Sequence, residues 1–277
     1  MDKWKKLFGM IVWLVIIGLF VVNTFPFFWV LVTSFKPSSE IFGAGAFRVI
    51  AQNPTLSNYT NVMFERNILR SIGNSFIVSA LTMAYVVAIA SMSAYIISRF
   101  NFRGKALLMG FILTVSMFPQ MILVGPIFNM FHSMDLLNSY WVILPYSTIT
   151  LPIAVWIMVA HFKRIPLSVE EAARIDGCSV WGTLWRIIFP LAAPGVFTTA
   201  IMTFIAAWNE FLLAFMFLKK PIHQTLTVIP SRFAMLYMSD LPKTFAALTI
   251  IALPIIITYI CFQKVFEQGL TAGSVKG

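Results

Sequence analysis

Charge is what this sequence has least of. Asp, Glu, Lys and Arg make up 11% of its 277 residues, where a soluble domain carries roughly 25%. That deficit excludes an ordinary water-soluble domain, and a mean hydropathy of +0.86 points the same way. Cysteine is nearly absent. Cys178 and Cys261 stand far apart, one in a polar loop and one in an apolar stretch, and they offer neither a disulfide framework nor a metal site. His132, His161 and His223 are solitary and lack ligand spacing, so packing is their expected role. A phosphate-cradling loop of the form Gly-x4-Gly-Lys-Ser/Thr is missing as well. The one Gly-Lys pair is Gly104-Lys105; Ala106 follows it, and Arg99 stands where the first glycine belongs. The chain is therefore expected not to hydrolyse ATP. It also lacks a nucleophile–base pair, a metal triad or a cofactor fingerprint, so no enzyme class is indicated.

What is present is long apolar runs. A transmembrane helix needs about 20 mostly apolar residues to cross a hydrocarbon core of roughly 30 Å. Six stretches meet or approach that length, at approximately 10–33, 71–97, 107–130, 141–161, 195–218 and 244–262. They predict an all-α integral membrane protein of about six transmembrane helices, forming a single domain over 1–277. The first run follows Lys3, Lys5 and Lys6, as a secretory signal would. Its apolar stretch is too long for one, and no alanine precedes Ala44 to supply a cleavage site. A net charge of +10 would suggest nucleic acid in a soluble protein. In a membrane protein, basic residues flank the spans and face anionic headgroups, so the lipid bilayer is the partner they indicate.

The distribution of Lys and Arg sets the orientation. With both termini cytoplasmic, inside segments hold twelve basic residues and outside segments eight. The short loops weigh most: 99–105 contains Arg99, Arg103 and Lys105, whereas 131–140 contains none. This leaves outside loops at about 34–70 and 219–243, a short helix expected near 56–66, and a cytoplasmic tail at about 264–277. It also leaves an inside loop at about 162–194 that is too long for a simple turn. No internal repeat supplies a second half of a symmetric transporter.

That inside loop reads Ile165-Pro166-Leu167-Ser168-Val169-Glu170-Glu171-Ala172-Ala173-Arg174-Ile175-Asp176-Gly177-Cys178. Pro166 holds the preceding residue extended. Ser168 and Glu171 have capping-box spacing, which predicts a helix start. Gly177 suits a helix end that needs a left-handed backbone. A second helix is expected from the stripe Val180, Leu184, Ile187 and Ile188, broadened by Trp181 and Trp185 and ended by Pro190 and Pro194. Carboxylates at Glu170, Glu171 and Asp176 alternate with Arg174 on an alanine-rich surface. Small residues allow close approach and charges give register, as on a docking surface. The same residues also suit an ordinary capped loop in which Glu171 only closes its own helix.

Glu171-Ala172-Ala173, then Asp176-Gly177, then Ile187-Ile188-Phe189-Pro190 resembles the EAA signature of ABC-importer permeases. Cys178 stands where alanine is common and Phe189 where leucine is. Lys36-Pro37-Ser38-Ser39-Glu40, Trp208-Asn209-Glu210-Phe211 and the ending from Gln268 to Gly277 resemble the carbohydrate-uptake branch, in particular its maltose-type subunit with a C-terminal tail. The resemblance implies a cytoplasmic coupling-helix loop that inserts into a partner ATPase, with Glu170, Glu171, Ala172, Ala173, Asp176, Gly177 and Pro190 at or near the contact. It implies that Thr271, Ala272, Gly273, Ser274, Val275, Lys276 and Gly277 reach the ATPase interface. It further implies a second permease subunit, two cytoplasmic ATPase subunits that hold ATP and Mg, and an extracytoplasmic solute-binding protein that meets the loop near 219–243. The location implied is a bacterial or archaeal plasma membrane, and the cargo a disaccharide or oligosaccharide, with a glycerol-phosphate ester as the alternative. No cofactor is expected on this chain.

Glu210, about two-thirds along the fifth run, is the one acidic residue well inside an apolar stretch, where an unpaired carboxylate is costly. It could line a pathway with Trp208 and Asn209, bind substrate hydroxyls, or hydrogen-bond a neighbouring helix. A gradient-driven carrier using Glu210 is the competing reading.

Overall fold

The computed structural model describes residues 2–43, 45–65, 68–231 and 241–271, and every regular element among them is helical. In chain order they are α1 (Asp2–Ser34), α2 (Ser38–Ile41), α3 (Ser57–Glu65), α4 (Ile68–Arg99), α5 (Lys105–Ser116), α6 (Gln120–Ser133), α7 (Ile143–Phe162), α8 (Leu167–Ile175), α9 (Val180–Leu191), α10 (Ala193–Asn209), α11 (Leu212–Phe217) and α12 (Leu241–Thr271). Four helices are long and apolar enough to cross a membrane, and six spans result if each of two bent pairs counts as one. The helix expected near 56–66 is α3. Of the outer loop expected at 219–243, residues 232–240 lie outside the described residues.

Two of the expected runs are not continuous helices. The run at 107–130 is α5 followed by α6, bent by 93°. Pro119 lies in the extended region and disfavours helix at Phe118, so the chain turns there. The run at 195–218 divides at Glu210, whose backbone is extended (φ −66°, ψ 122°). Upstream, α9 meets α10 at 83°. Pro190 and Pro194 each lack an N–H, and a π-turn at Leu184–Ile188 already loosens the ladder before them.

The chain divides into two compact units, Met1–Leu69 with Ile229–Pro254, and Arg70–Val228 with Ile255–Gly277. In the first unit, the turn after α1 is built on a buried cation. The Lys36 ammonium donates to the carbonyls of Ala46 (3.0 Å) and Arg48 (2.6 Å) and lies 4.9 Å from the centre of the Trp29 ring. Glu40 accepts the Gln52 N–H on both oxygens, and the Asn58 amide donates to the carbonyls of Ser34 and Lys36. Lys36-Pro37-Ser38-Ser39-Glu40 is thus a structural staple for the long loop.

In the second unit, two apolar clusters sit towards opposite ends of α4. One joins Val86, Ala90, Ala94 and Tyr95 to Val155, Met158 and Phe162 of α7 and to Leu184 and Ile188 of α9. The other joins Val78 to Val124, Phe131, Tyr146, Ala207 and Phe217. The buried face of α4 includes the small residues Ser71, Ser75, Ser79, Thr82, Ala90 and Ala94. Small side chains let helices approach closely where lipid removes any hydrophobic drive between them. In the first unit, no residue in the apolar window of α1 is buried among the described residues.

Candidate functional site: the α8–α9 loop and the break at Glu210

The loop at 162–194 is the pair of helices α8 and α9. Pro166, extended at ψ 142°, precedes Leu167, and no side chain caps α8. The expected Ser168–Glu171 capping box is not formed, because the helix starts two residues too early and Ser168 lies inside its first turn. Gly177 behaves as expected, at φ +80°. Its N–H donates to the Arg174 carbonyl and the Cys178 N–H to the Ala173 carbonyl, a Schellman motif that satisfies two terminal acceptors. Ser179 then caps α9 by accepting the Gly182 N–H at 3.1 Å.

The two adjacent glutamates face opposite ways. Glu171, Ala172, Arg174, Ile175, Asp176 and Gly177 are exposed, while Glu170 and Ala173 are buried. Glu170 forms an ion pair with Arg99, the last residue of α4, and accepts the Tyr95 hydroxyl at 3.2 Å. Arg99 also donates to the Ile165 carbonyl at 3.0 Å. With 2% exposure for Glu170, this pair is withdrawn from water and anchors α8 to α4. The resemblance implies that Glu170, like Glu171, lies at or near the ATPase contact, whereas Glu170 is turned inward. The only signal that could have separated them was the i,i+3 spacing of Glu170 and Ala173.

On the outer side of this hairpin, Leu167, Ile175, Val180 and Trp181 are exposed among the charges, and Trp181 stacks on Trp185. The resulting surface combines large apolar side chains with Glu171, Arg174 and Asp176. Pro190, also exposed, sits in the last turn before the 83° bend. The base of the loop closes where α10 meets α7. A methyl group on Gly195 would lie 2.6 Å from Cδ2 and 2.8 Å from Cβ of His161, so only glycine fits against that ring.

Glu210 is occupied. Its carboxylate accepts the N–H groups of Leu213 and Ala214, each at 3.0 Å, and the Gln120 amide at 3.4 Å. Its own carbonyl accepts the Thr227 hydroxyl at 2.7 Å. The side chain therefore caps the N-terminus of α11, where exposed N–H groups and the helix dipole favour an anion. Trp208 is buried against Phe204, whereas Asn209 is exposed and donates to the Ile205 carbonyl. Of the expected tail, Thr271 ends α12, and Ala272, Gly273, Ser274, Val275, Lys276 and Gly277 lie outside the described residues.

Residues 86–272, which include the whole α8–α9 loop and the Glu210 break, match the family described as binding-protein-dependent transport system inner membrane component. The chain belongs to this family. It is a multi-pass inner-membrane permease component and not itself a catalyst. The permease is 37% identical over 260 residues to the sulfoquinovosyl glycerol transport system permease of Agrobacterium fabrum, covering 94% of this chain and 91% of the relative. It is 36% identical to the trehalose/maltose transport system permease of Thermococcus litoralis, covering 93% of each. Its fold matches a chain of a bacterial ABC transporter that imports the polysaccharide alginate, with a TM-score of 0.78 over 94% of this chain and 97% of the other at 23% identity.

Proposed function

We propose that the permease forms half of the membrane pathway of an ATP-driven importer for a sugar, a disaccharide or oligosaccharide presented by an extracytoplasmic binding protein. Both termini and the α8–α9 loop lie in the cytoplasm, α5 with α6 and α10 with α11 each make one of six spans, and 1–277 acts as one permease domain. The observation that carries the reading is the surface of α8. Glu171, Ala172 and Asp176 face outward beside Ile175 and Trp181, while Glu170 anchors the helix from beneath. Such a surface suits insertion into a cleft of a cytoplasmic ATPase, with Glu171 pairing a basic residue and the 271–277 tail reaching the same partner. Two ATPase subunits supply ATP and Mg, and the outer loop at 219–243 meets the binding protein.

A second permease subunit is supported by the size of the cavity between the spanning helices α7 and α10. Lined by Thr150, Ile153, Thr199 and Met202 among others, it holds about 160 Å³, below the roughly 300 Å³ at which ligand pockets begin. The larger hollow of about 640 Å³ lies at the loop around Asp176 and Arg186. An α1 whose apolar window has no buried residue among the described residues calls for a neighbour as well. The relatives favour a glycoside: one is named for trehalose and maltose, another for a sulfonated glycosyl glycerol. A compact glycerol-linked cargo is the alternative that the latter supports. In a gradient-driven carrier, Glu210 would need a carboxylate free to exchange protons or ions, but both of its oxygens are engaged.

The experiment is to purify the tagged chain from its native membranes in mild detergent, with mass spectrometry and an ATPase assay. Co-purifying ATPase and second-permease subunits with vanadate-sensitive hydrolysis is the expected result; a chain repeatedly alone, under conditions that keep other complexes whole, refutes the reading. Glu171→Lys is expected to abolish uptake while insertion stays normal.

A further inference from the structure

The element that stands apart in the second unit is α4. Among the helices of at least 18 residues, α1, α7 and α12 each contain an interior proline (Pro26, Pro152, Pro254), and α4, with 32 residues, contains none. Of the other spans of its unit, α5–α6 and α9–α10 are bent by 93° and 83°, the chain breaks again at Glu210, and α7 carries Pro152 in its interior. A force applied along any of those can be absorbed at the bend; along an unbroken hydrogen-bond ladder it cannot. Twenty-five residues separate Asn74 from Arg99, about 38 Å at about 1.5 Å per residue, close to the full thickness of a bilayer with its headgroups.

Both ends of this rod are tied by polar contacts. At the Arg99 end are the ion pair with Glu170, the Tyr95 hydroxyl on the same carboxylate, and the Arg99 bond to the Ile165 carbonyl. At the other end, the Asn74 amide donates to the carbonyls of Ile222 (2.9 Å) and Gln224 (3.0 Å), and its oxygen accepts the Tyr140 hydroxyl. Arg70 donates to the Ile222 carbonyl as well, and the Ser75 hydroxyl accepts the Leu226 N–H at 2.8 Å. The outer segment 222–226 is thereby hung on α4 over a separation of about 150 residues in sequence. It is held through its backbone, whose register α4 dictates.

We propose that α4 is the rod that links the coupling helix α8 to the outer loop at 222–226, with Arg99 and Asn74 as the positioning residues at its two ends. This rests on the importer reading and deepens it. A loaded binding protein that settles the outer loop biases the position of α4 and hence of α8 against the ATPase. By linkage, closure of the ATPase biases the outer loop equally. Because the two ties act in series on one rod, cutting either end severs the same connection.

The test uses the purified complex in lipid nanodiscs, with ATP hydrolysis measured with and without the loaded binding protein. Coupling between distant sites typically amounts to about 5–150-fold, so each of Asn74→Ala and Arg99→Lys is expected to lower the stimulation factor about fivefold or more. Lysine keeps the charge at 99 but replaces with a single ammonium the planar fork that reaches Glu170 through Nε and the Ile165 carbonyl through Nη2. Asn74→Ala alone, remote from the ATPase, leaves unstimulated hydrolysis at the wild-type rate. The double variant is expected to lose no more than the worse single one. Losses that multiply, or stimulation unchanged in both single variants of a complex that is otherwise stimulated, overturn the rod while leaving the importer reading intact. A wild-type preparation without an ATPase overturns both. If Asn74→Ala fails to assemble, Ser75→Ala, which leaves the Leu226 N–H without its acceptor, replaces it with the same expectations.

Discussion

Replacing Gly195 by alanine probes the joint at the base of the coupling loop, and the structure sets a graded outcome. In an open helix this change stabilises by about 1 kcal/mol, because glycine gives up more backbone freedom on folding. Here the new methyl lies 2.6 Å from Cδ2 and 2.8 Å from Cβ of His161, where carbon atoms at rest stay about 3.5–4.0 Å apart. Rotating the imidazole away relieves the first overlap and not the second, since Cβ is fixed by the α7 backbone. The helices must part by nearly an ångström. Overpacking of this kind costs about 1–3 kcal/mol, and the rigid Cβ contact puts the net change near 2 kcal/mol in the destabilising direction. At roughly 2–4 °C per kcal/mol for a chain of this size, the midpoint for thermal loss of the monodisperse species falls by about 4–8 °C. His161→Ala with Gly195→Ala recovers only part of that, because the alanine Cβ remains. His161→Gly with Gly195→Ala moves the methyl from one helix to the other and recovers most of it. A Gly195→Ala protein as stable as wild type, or a glycine swap no better than the single change, would refute this close approach.

Substitutions at two further positions test local geometry. Gly177→Ala places a Cβ at φ +80°, a left-handed position that costs an L-residue about 1–2 kcal/mol; the α8 end should fray, giving faster amide exchange in 173–178 and weaker ATPase capture at unchanged membrane insertion. Exchange identical to wild type would show that the turn tolerates a side chain. Glu210→Gln keeps one acceptor oxygen of two, so one of the Leu213 and Ala214 N–H groups loses its partner. Removing a hydrogen bond to a charged group costs about 1.5–3 kcal/mol, readable as a lower thermal midpoint, whereas Glu210→Ala should cost more. Equal stability of all three proteins would exclude the capping role.

How much of this was readable from residues alone depends on the range over which the physics acts. The apolar runs, the helix near 56–66, the left-handed turn at Gly177 and the two helices of the 162–194 loop are set by local composition, proline and glycine. They emerged at the expected places. The capping box did not, because Pro166 started the helix early and placed Ser168 inside it. Breaks at Phe118–Pro119 and Glu210 were hidden by the uniform hydropathy of their runs. A hydropathy window sums transfer free energies and is blind to backbone direction.

The sequence by itself determined that this chain lives in a membrane, where its apolar runs lie, and which loop folds as a pair of short helices, since each of these depends on neighbours within a few turns. Only the tertiary structure decided what the charged and polar side chains do there. Glu170 is a buried anchor and Glu171 an exposed side chain because Arg99, some 70 positions away, reaches one face of α8 and not the other. Glu210 is a helix cap because the chain breaks beside it and presents two N–H groups. A carboxylate in an apolar run must find donors or a cation; which ones it finds is fixed by packing between segments that no local pattern relates.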